Sequence, residues 1–235
     1  MSERSGAAAS GPRSAATREV VAPRRRGASE PASAAERANQ ETRLFVAAYP
    51  PPQARDDLAA LVATLAIGQP AQPGRSLRLA PAQEWHLTLA FLGDVAEHAV
   101  PAAHRAVEAA VCAAAAPVVR LGGGGRFGRG KFTIVWTGVH GEGLADLAKA
   151  VRRQLKAARL PFDPKPFRPH LTLARPADRL PAEALAADLA ALKAYEGPKW
   201  TVETVALVRS HLGPKPVYER LGEWTAGGAA AAAPP

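Results

Sequence analysis

The pentapeptide His-Leu-Thr-Leu-Ala stands at residues 86–90 and again at residues 170–174, and this repeat constrains the chain more than any other feature. An identical five-residue string returning after 84 positions is remote as a chance event and indicates two copies of one structural unit. Both copies read as β-strands, from Trp85 to Leu92 and from His170 to Ala174. Side chains alternate between the two faces of a strand. His86, Thr88 and Ala90 are therefore expected on one face, with Leu87, Leu89 and Phe91 on the other. In the second copy, His170, Thr172 and Ala174 oppose Leu171 and Leu173. The leucine face suits packing beneath helices. The His/Thr face must line something polar, and two such strands related by a pseudo-twofold would turn four polar side chains into one cleft.

Those side chains define a chemistry. Histidine, with an unperturbed pKa of about 6.5, exchanges a proton near neutrality. Two of them allow one to act as acid while the other acts as base. A threonine hydroxyl two residues away can donate a hydrogen bond to a non-bridging phosphate oxygen. The set suffices to cleave a phosphodiester with an activated water and a protonated leaving oxygen.

The rest of the chain reads as alternating short strands and helices. The run Leu44–Tyr49 is a strand that ends at Pro50-Pro51-Pro52, and Leu58, Leu61, Val62 and Leu65 recur at helical spacing before Gly68. A short strand is expected over 77–79. Further helices are expected over 99–116, around Leu144, Leu147, Val151 and Leu155, and over 182–192. Further strands are expected over 118–121, 132–139, 200–208 and 217–221. The fold class is α+β, or α/β with two sheets.

Residues 1–42 are rich in Ala, Ser, Pro, Gly and Arg and read as a disordered tail, as do residues 225–235, which are low in complexity. The folded part is placed at 43–224. The net charge is +9; residues 1–42 hold seven Arg and five Glu, which leaves a basic folded part of 23 Lys+Arg against 16 Asp+Glu. Such a body suits a polyanionic partner. Cys112 is the only cysteine, which excludes an intrachain disulfide and a cysteine-based zinc site. No His-Glu-x-x-His or dense carboxylate set is present, so no metal and no cofactor is expected. No apolar run reaches a membrane span and no secretory leader is evident, so a cytoplasmic protein without a membrane partner is expected.

Gly122–Gly125, with Gly128 and Gly130, match neither a phosphate-binding loop nor a dinucleotide fingerprint, because a strand follows them. They read as a flexible hairpin whose Arg126, Arg129 and Lys131 can meet RNA phosphates. Phe127 is expected in the core, with base stacking as the alternative. His98, His104, His140 and His211 lack the motif. The first two are expected at the surface and His140 in a turn, while His211 stands at a strand end and is expected away from the cleft, with approach to it as the lesser alternative.

Three segments carry a resemblance: Arg43-Leu44-Phe45-Val46-Ala47, Trp85 to Gly93, and Arg168 to Arg175. With the closing stretch from Leu207 to Tyr218, they resemble the two-histidine (2H) phosphoesterase superfamily. The resemblance is to its bacterial and archaeal RNA 2′,3′-cyclic phosphodiesterase branch, historically called 2′-5′ RNA ligase, and spans about residues 43–224. It implies a bilobal fold of two duplicated lobes, each a small antiparallel sheet packed by helices, around a central cleft. It implies metal-independent hydrolysis of RNA 2′,3′-cyclic phosphate ends to 2′-phosphomonoesters by a monomer. In that scheme His86 is the proton donor and His170 the proton acceptor, and Thr88, Thr172 and Arg175 hold the phosphate. Strict alternation puts Arg175 opposite His170, so its role requires the strand to end or bulge near Ala174. The glycine content of 122–130 departs from the family pattern. The same residues also serve 2′-5′ RNA ligation or the opening of a small cyclic nucleotide. A non-catalytic RNA-binding module is the reading from another class.

Overall fold

The computed structural model describes residues 41–70, 78–176, 180–213 and 216–228. The stretches read above as tails lie outside it, apart from Glu41, Thr42 and residues 225–228. Among the described residues, nine strands and four α-helices follow one another: β1 (Glu41–Ala48), α1 (Pro52–Thr64), β2 (Arg78–Leu79), β3 (Leu87–Ala96), α2 (Val100–Cys112), β4 (Val118–Phe127), β5 (Ile134–Gly141), α3 (Leu144–Ala157), β6 (His170–Arg175), α4 (Ala182–Ala194), β7 (Glu196–Thr201), β8 (Thr204–His211) and β9 (Val217–Thr225). Mixed helices and antiparallel strands make this an α+β fold. No helix among the described residues is long and apolar enough to cross a membrane.

The strands pair in the order β7-β4-β5-β6-β3-β1-β8-β9, with β2 added to β6. The order is symmetric about the β6–β3 junction, with four strands on either side. The two small sheets that the resemblance implies are thus continuous, and they join where Leu87 pairs with Leu171. The side formed by β7, β4, β5 and β6 comes from one continuous stretch, residues 118–201, whereas the other side combines β1 and β3 from before that stretch with β8 and β9 from after it.

Leucine and valine from the helices and from the inner sheet face form the core, including Leu58, Val107, Leu147, Val151 and Leu155, with Leu87, Leu89, Leu171 and Leu173 from the repeat. The leucine face expected from alternation is buried.

Strict alternation breaks at the same point of the motif in both halves. Opposite β1, Thr88 and Ala90 pair with Ala47 and Val46, so Leu89 is an extra residue in β3. Opposite β5, Thr172 and Ala174 pair with Trp136 and Val135, so Leu173 is an extra residue in β6. Each is a β-bulge, which returns the following residues to the opposite face. Phe91, expected beside the leucines, is consequently 37% exposed, while Leu92 is buried in its place.

Other boundaries also shift. β1 starts at Glu41, and Thr42 is buried. The strand expected over 200–208 is two strands, β7 and β8, and that expected over 217–221 extends to Thr225. The glycine run is not a flexible loop, because β4 continues through it to Phe127. Gly123 takes φ +61° at a bulge. A Cβ on Gly125 would lie 2.6 Å from the Trp136 ring, so that ring occupies the space a side chain would fill.

Candidate active site

The two motif histidines are held in the same way. His86 sits between the turn Ala82–Glu84 and the start of β3, and its Nδ1 lies 2.7 Å from the Glu84 carbonyl oxygen. His170 opens β6, and its Nδ1 lies 2.6 Å from the Arg168 carbonyl oxygen. A carbonyl oxygen can only accept, so each Nδ1 carries a hydrogen and donates it two residues back along the chain. Nε2 is then the nitrogen of each ring on which the proton can come and go. It donates when the ring is protonated and accepts when the ring is neutral.

The turn before His86 is itself anchored. The Trp85 indole is buried and donates from Nε1 to the Ala80 carbonyl at 3.0 Å. The Ala80 N–H in turn donates to the Leu173 carbonyl at 2.8 Å. The first histidine is thereby tied to the strand that carries the second. Register brings the motifs together too: with Leu87 opposite Leu171, antiparallel pairing carries His86 toward Thr172 and Thr88 toward His170. Both threonines and both histidines are partly exposed on this face.

Arg175 satisfies the condition set for it. The bulge at Leu173 turns it to the face of His170 and Thr172. Burial holds the Tyr218 phenol above its usual pKa, and Glu84 adds to the rise. The positive charge of Arg175 reaches that phenol and pulls in the opposite direction.

The surroundings of the two rings differ. Phe45 stacks on His86, with centroids 4.9 Å apart and planes at 27°. Tyr218 meets the same ring edge-on at 5.4 Å, and Tyr49 lies at 5.8 Å. The Arg220 guanidinium covers the Tyr49 ring at 4.3 Å. Around His170, Phe127 sits edge-on at 4.9 Å and Trp136 at 6.2 Å. Phe127 therefore lies against the second histidine, stacked on Trp136 at 5.2 Å, rather than deep in the core. The sequence pattern does not single out Phe45, Tyr49, Trp136 or Arg220. Phe45 and Tyr218 lie within the family-like segments, which is the one available signal.

Burial pushes the His86 pKa below its ordinary value; the Glu84 carbonyl opposes this, and the charge of His170 adds a smaller downward push. The unliganded site thus favours neutral His86. A proton donor needs the opposite state. A negative phosphate beside the ring would supply the missing stabilisation by pairing with imidazolium.

Three further histidines have partners elsewhere. His211 faces Glu219 at 3.0 Å. His104 packs edge-on against Trp224 at 4.6 Å, more enclosed than expected. His140 is the penultimate residue of β5, not in a turn, and its Nε2 lies 2.9 Å from the Gly122 carbonyl oxygen. Among the described residues, no three His, Cys, Asp or Glu side chains group as a metal site.

Known proteins resemble this chain in sequence and in fold. The family model of the 2′-5′ RNA ligase superfamily matches residues 50–214. An RNA 2′,3′-cyclic phosphodiesterase of Thermus thermophilus is 35% identical over 78% of this chain and 89% of its own length. The crystal structure of TT0787 from Thermus thermophilus superposes with a TM-score of 0.61 at 32% identity, covering 79% of this chain and 98% of that one. The crystal structure of E. coli LigT complexed with phosphate gives a TM-score of 0.58 at 25% identity, covering 80% and 98%.

Proposed function

The chain belongs to the 2′-5′ RNA ligase superfamily, and from that membership we propose that it hydrolyses RNA 2′,3′-cyclic phosphate ends to 2′-phosphomonoesters. The observation that carries the reading is the matched pair of imidazoles, each fixed through Nδ1 to the carbonyl two residues before it, on strands that meet at Leu87 and Leu171.

In this mechanism neutral His170 accepts a proton from water at Nε2 as the water oxygen bonds to phosphorus. The bond from phosphorus to O3′ breaks on the opposite side, and protonated His86 delivers its Nε2 hydrogen to O3′. The product is a 2′-phosphate with a free 3′-hydroxyl, and one proton has passed from water to His170 while another has left His86. Thr88 and Thr172 donate hydrogen bonds to the non-bridging oxygens, and Arg175 offsets the negative charge that grows there. Protein groups carry out both proton transfers, one accepted from water and one given to O3′, and the leaving oxygen is held in a strained ring, so the scheme needs no metal ion. The similarity to a relative named for this activity supports the substrate class.

The test is a short RNA with a 2′,3′-cyclic phosphate end, incubated with EDTA, its product identified by 31P NMR. A 2′-phosphate is expected. A 3′-phosphate, or activity abolished by EDTA, contradicts the scheme. Adding RNA with a 5′-hydroxyl to the same assay reads out 2′-5′ ligation, for which the same residues would serve.

A further inference from the structure

The hairpin that joins β4 to β5 lies beside the site and has features the cleavage chemistry does not use. Phe132 is 70% exposed, a large aromatic ring with little of its surface covered. The Lys131 ammonium lies 5.1 Å from the centre of that ring. Arg126, Arg129 and Lys131 are all exposed, and among the described residues none of them forms an ion pair. No acidic residue occurs from Val118 to Gly141, so nothing in either strand offsets this charge.

The hairpin also has a fixed position relative to the reaction. Phe127 pairs with Ile134 in register, and the Phe127 ring meets His170 edge-on. Phe132 closes the turn Gly130–Phe132, two residues before Ile134 in the chain, so its Cα lies within roughly 7 Å of that strand residue at ~3.6 Å per residue. That is a distance one extended nucleotide can bridge.

The opposing hairpin, β8–β9, provides a control within the molecule. It too exposes apolar groups near its tip, Leu212 and Val217. Its charges are matched, however: Arg209 with Glu97 and Glu219, His211 with Glu219, and Arg220 with Glu223. Among its described residues it presents no aromatic ring at the tip and no excess of unmatched cations.

Unpaired cations interleaved with an exposed aromatic ring suit a single-stranded nucleic acid, whose phosphates meet the charges while a base stacks on the ring. We propose that the β4–β5 hairpin binds single-stranded RNA upstream of the terminal nucleotide, with Phe132 stacking on a base and Arg129 and Lys131 contacting the backbone. The enzyme then prefers oligonucleotide ends over cyclic mononucleotides. This rests on the RNA cyclic-phosphate reading for the site, but the hairpin can be tested apart from turnover.

The experiment measures fluorescence anisotropy of a 5′-fluorescein oligouridylate ending in a 2′-phosphate. It is accompanied by kcat/KM for the same oligomer with a 2′,3′-cyclic end and for uridine 2′,3′-cyclic monophosphate. In Phe132→Ala, oligomer binding should weaken about tenfold, the effect of losing one stacked base. Phe132→Trp should restore it, and kcat/KM for the mononucleotide should not change. In the double variant Arg129→Ala/Lys131→Ala, the salt dependence of log K should become shallower by about 1.4, the value for two phosphates of a single strand. Unchanged oligomer affinity in both variants overturns the proposal, even with full turnover. So does a Phe132→Ala variant that changes only the oligomeric state in sedimentation, which would make the hairpin a contact between copies of the chain. If the wild type turns over neither substrate, the catalytic reading fails, and the anisotropy titration still decides the hairpin.

Discussion

Leu87 of β3 pairs with Leu171 of β6, and this pair lies at the symmetry axis of the strand order. Both side chains are buried, so the junction of the halves is also part of the core. Replacing Leu171 by Ala should cost about 2–5 kcal/mol in chemical denaturation. Leu171→Met, close in volume, should cost under ~1.5 kcal/mol and keep activity, because the spacing of the two strands survives.

The environment of His86 sets a pH dependence. In NMR titration its imidazole should protonate below the ordinary value of about 6.5. In His170→Ala that pKa should rise but stay below the ordinary value, because burial is the larger cause and remains. Inorganic phosphate should raise it. The sign for stability follows: between the folded and unfolded pKa values the unfolded chain binds more protons, so stability rises with pH in that window and falls as pH drops through it. His86→Gln should flatten this slope. An His86 pKa at or above 6.5 in the unliganded protein would contradict the burial account.

Phe45 stacks on His86 and is itself buried. Phe45→Ala should cost about 3–5 kcal/mol. It should also open the ring to water and move the His86 pKa back toward its ordinary value. A stability loss with no change in that titration would make the stack a packing contact only.

Arg175 reaches the polar face through the bulge at Leu173. Arg175→Ala should raise KM for a cyclic phosphate and lower kcat, with kcat down about 100–1000-fold, the range for loss of one preorganised electrostatic contact. It should also raise the Tyr218 pKa further, since Arg175 opposes that rise. Ultraviolet titration of the tyrosines checks the second effect independently of catalysis.

Asp188 of α4 is buried, and its two carboxylate oxygens accept the N–H groups of Ala66 and Ile67 at 2.8 and 2.9 Å. It ties α4 to the chain just beyond α1. Asp188→Ala leaves two backbone donors without their acceptor, and should cost at least about 1–3 kcal/mol in denaturation. Its kcat should match the wild type at a temperature where the variant remains folded.

Much of the site was legible because the duplication preserved it in plain form. An identical pentapeptide on two strands pointed to the candidate histidines and threonines and, through alternation alone, to the leucine face that the structure buries. The bulges at Leu89 and Leu173 were not legible, since an extra residue in a strand leaves no mark in the pattern of a single chain. They decide where Phe91 and Arg175 point. The aromatic surroundings of His86 were hidden for another reason: Phe45, Tyr49 and Tyr218 reach the ring from strands far apart in sequence. The glycine run misled because its small residues answer to packing. At Gly125 the Trp136 ring occupies the side-chain position, and composition alone cannot distinguish that from a loop. The return of β8 to pair with β1, across most of the chain, depends on a pairing that no local pattern records.

His86 and His170 are proposed as the two proton-transfer groups. The most direct measurement is single-turnover cleavage of an RNA 2′,3′-cyclic phosphate by the wild type, His86→Ala, His170→Ala and the double variant, in the presence of EDTA. Each single variant should lose at least about 100–10,000-fold in rate, the usual contribution of a general acid or base. If the two act as a unit, the double variant should be little worse than either single one. Near wild-type rates in both single variants, with the proteins folded, would contradict the account.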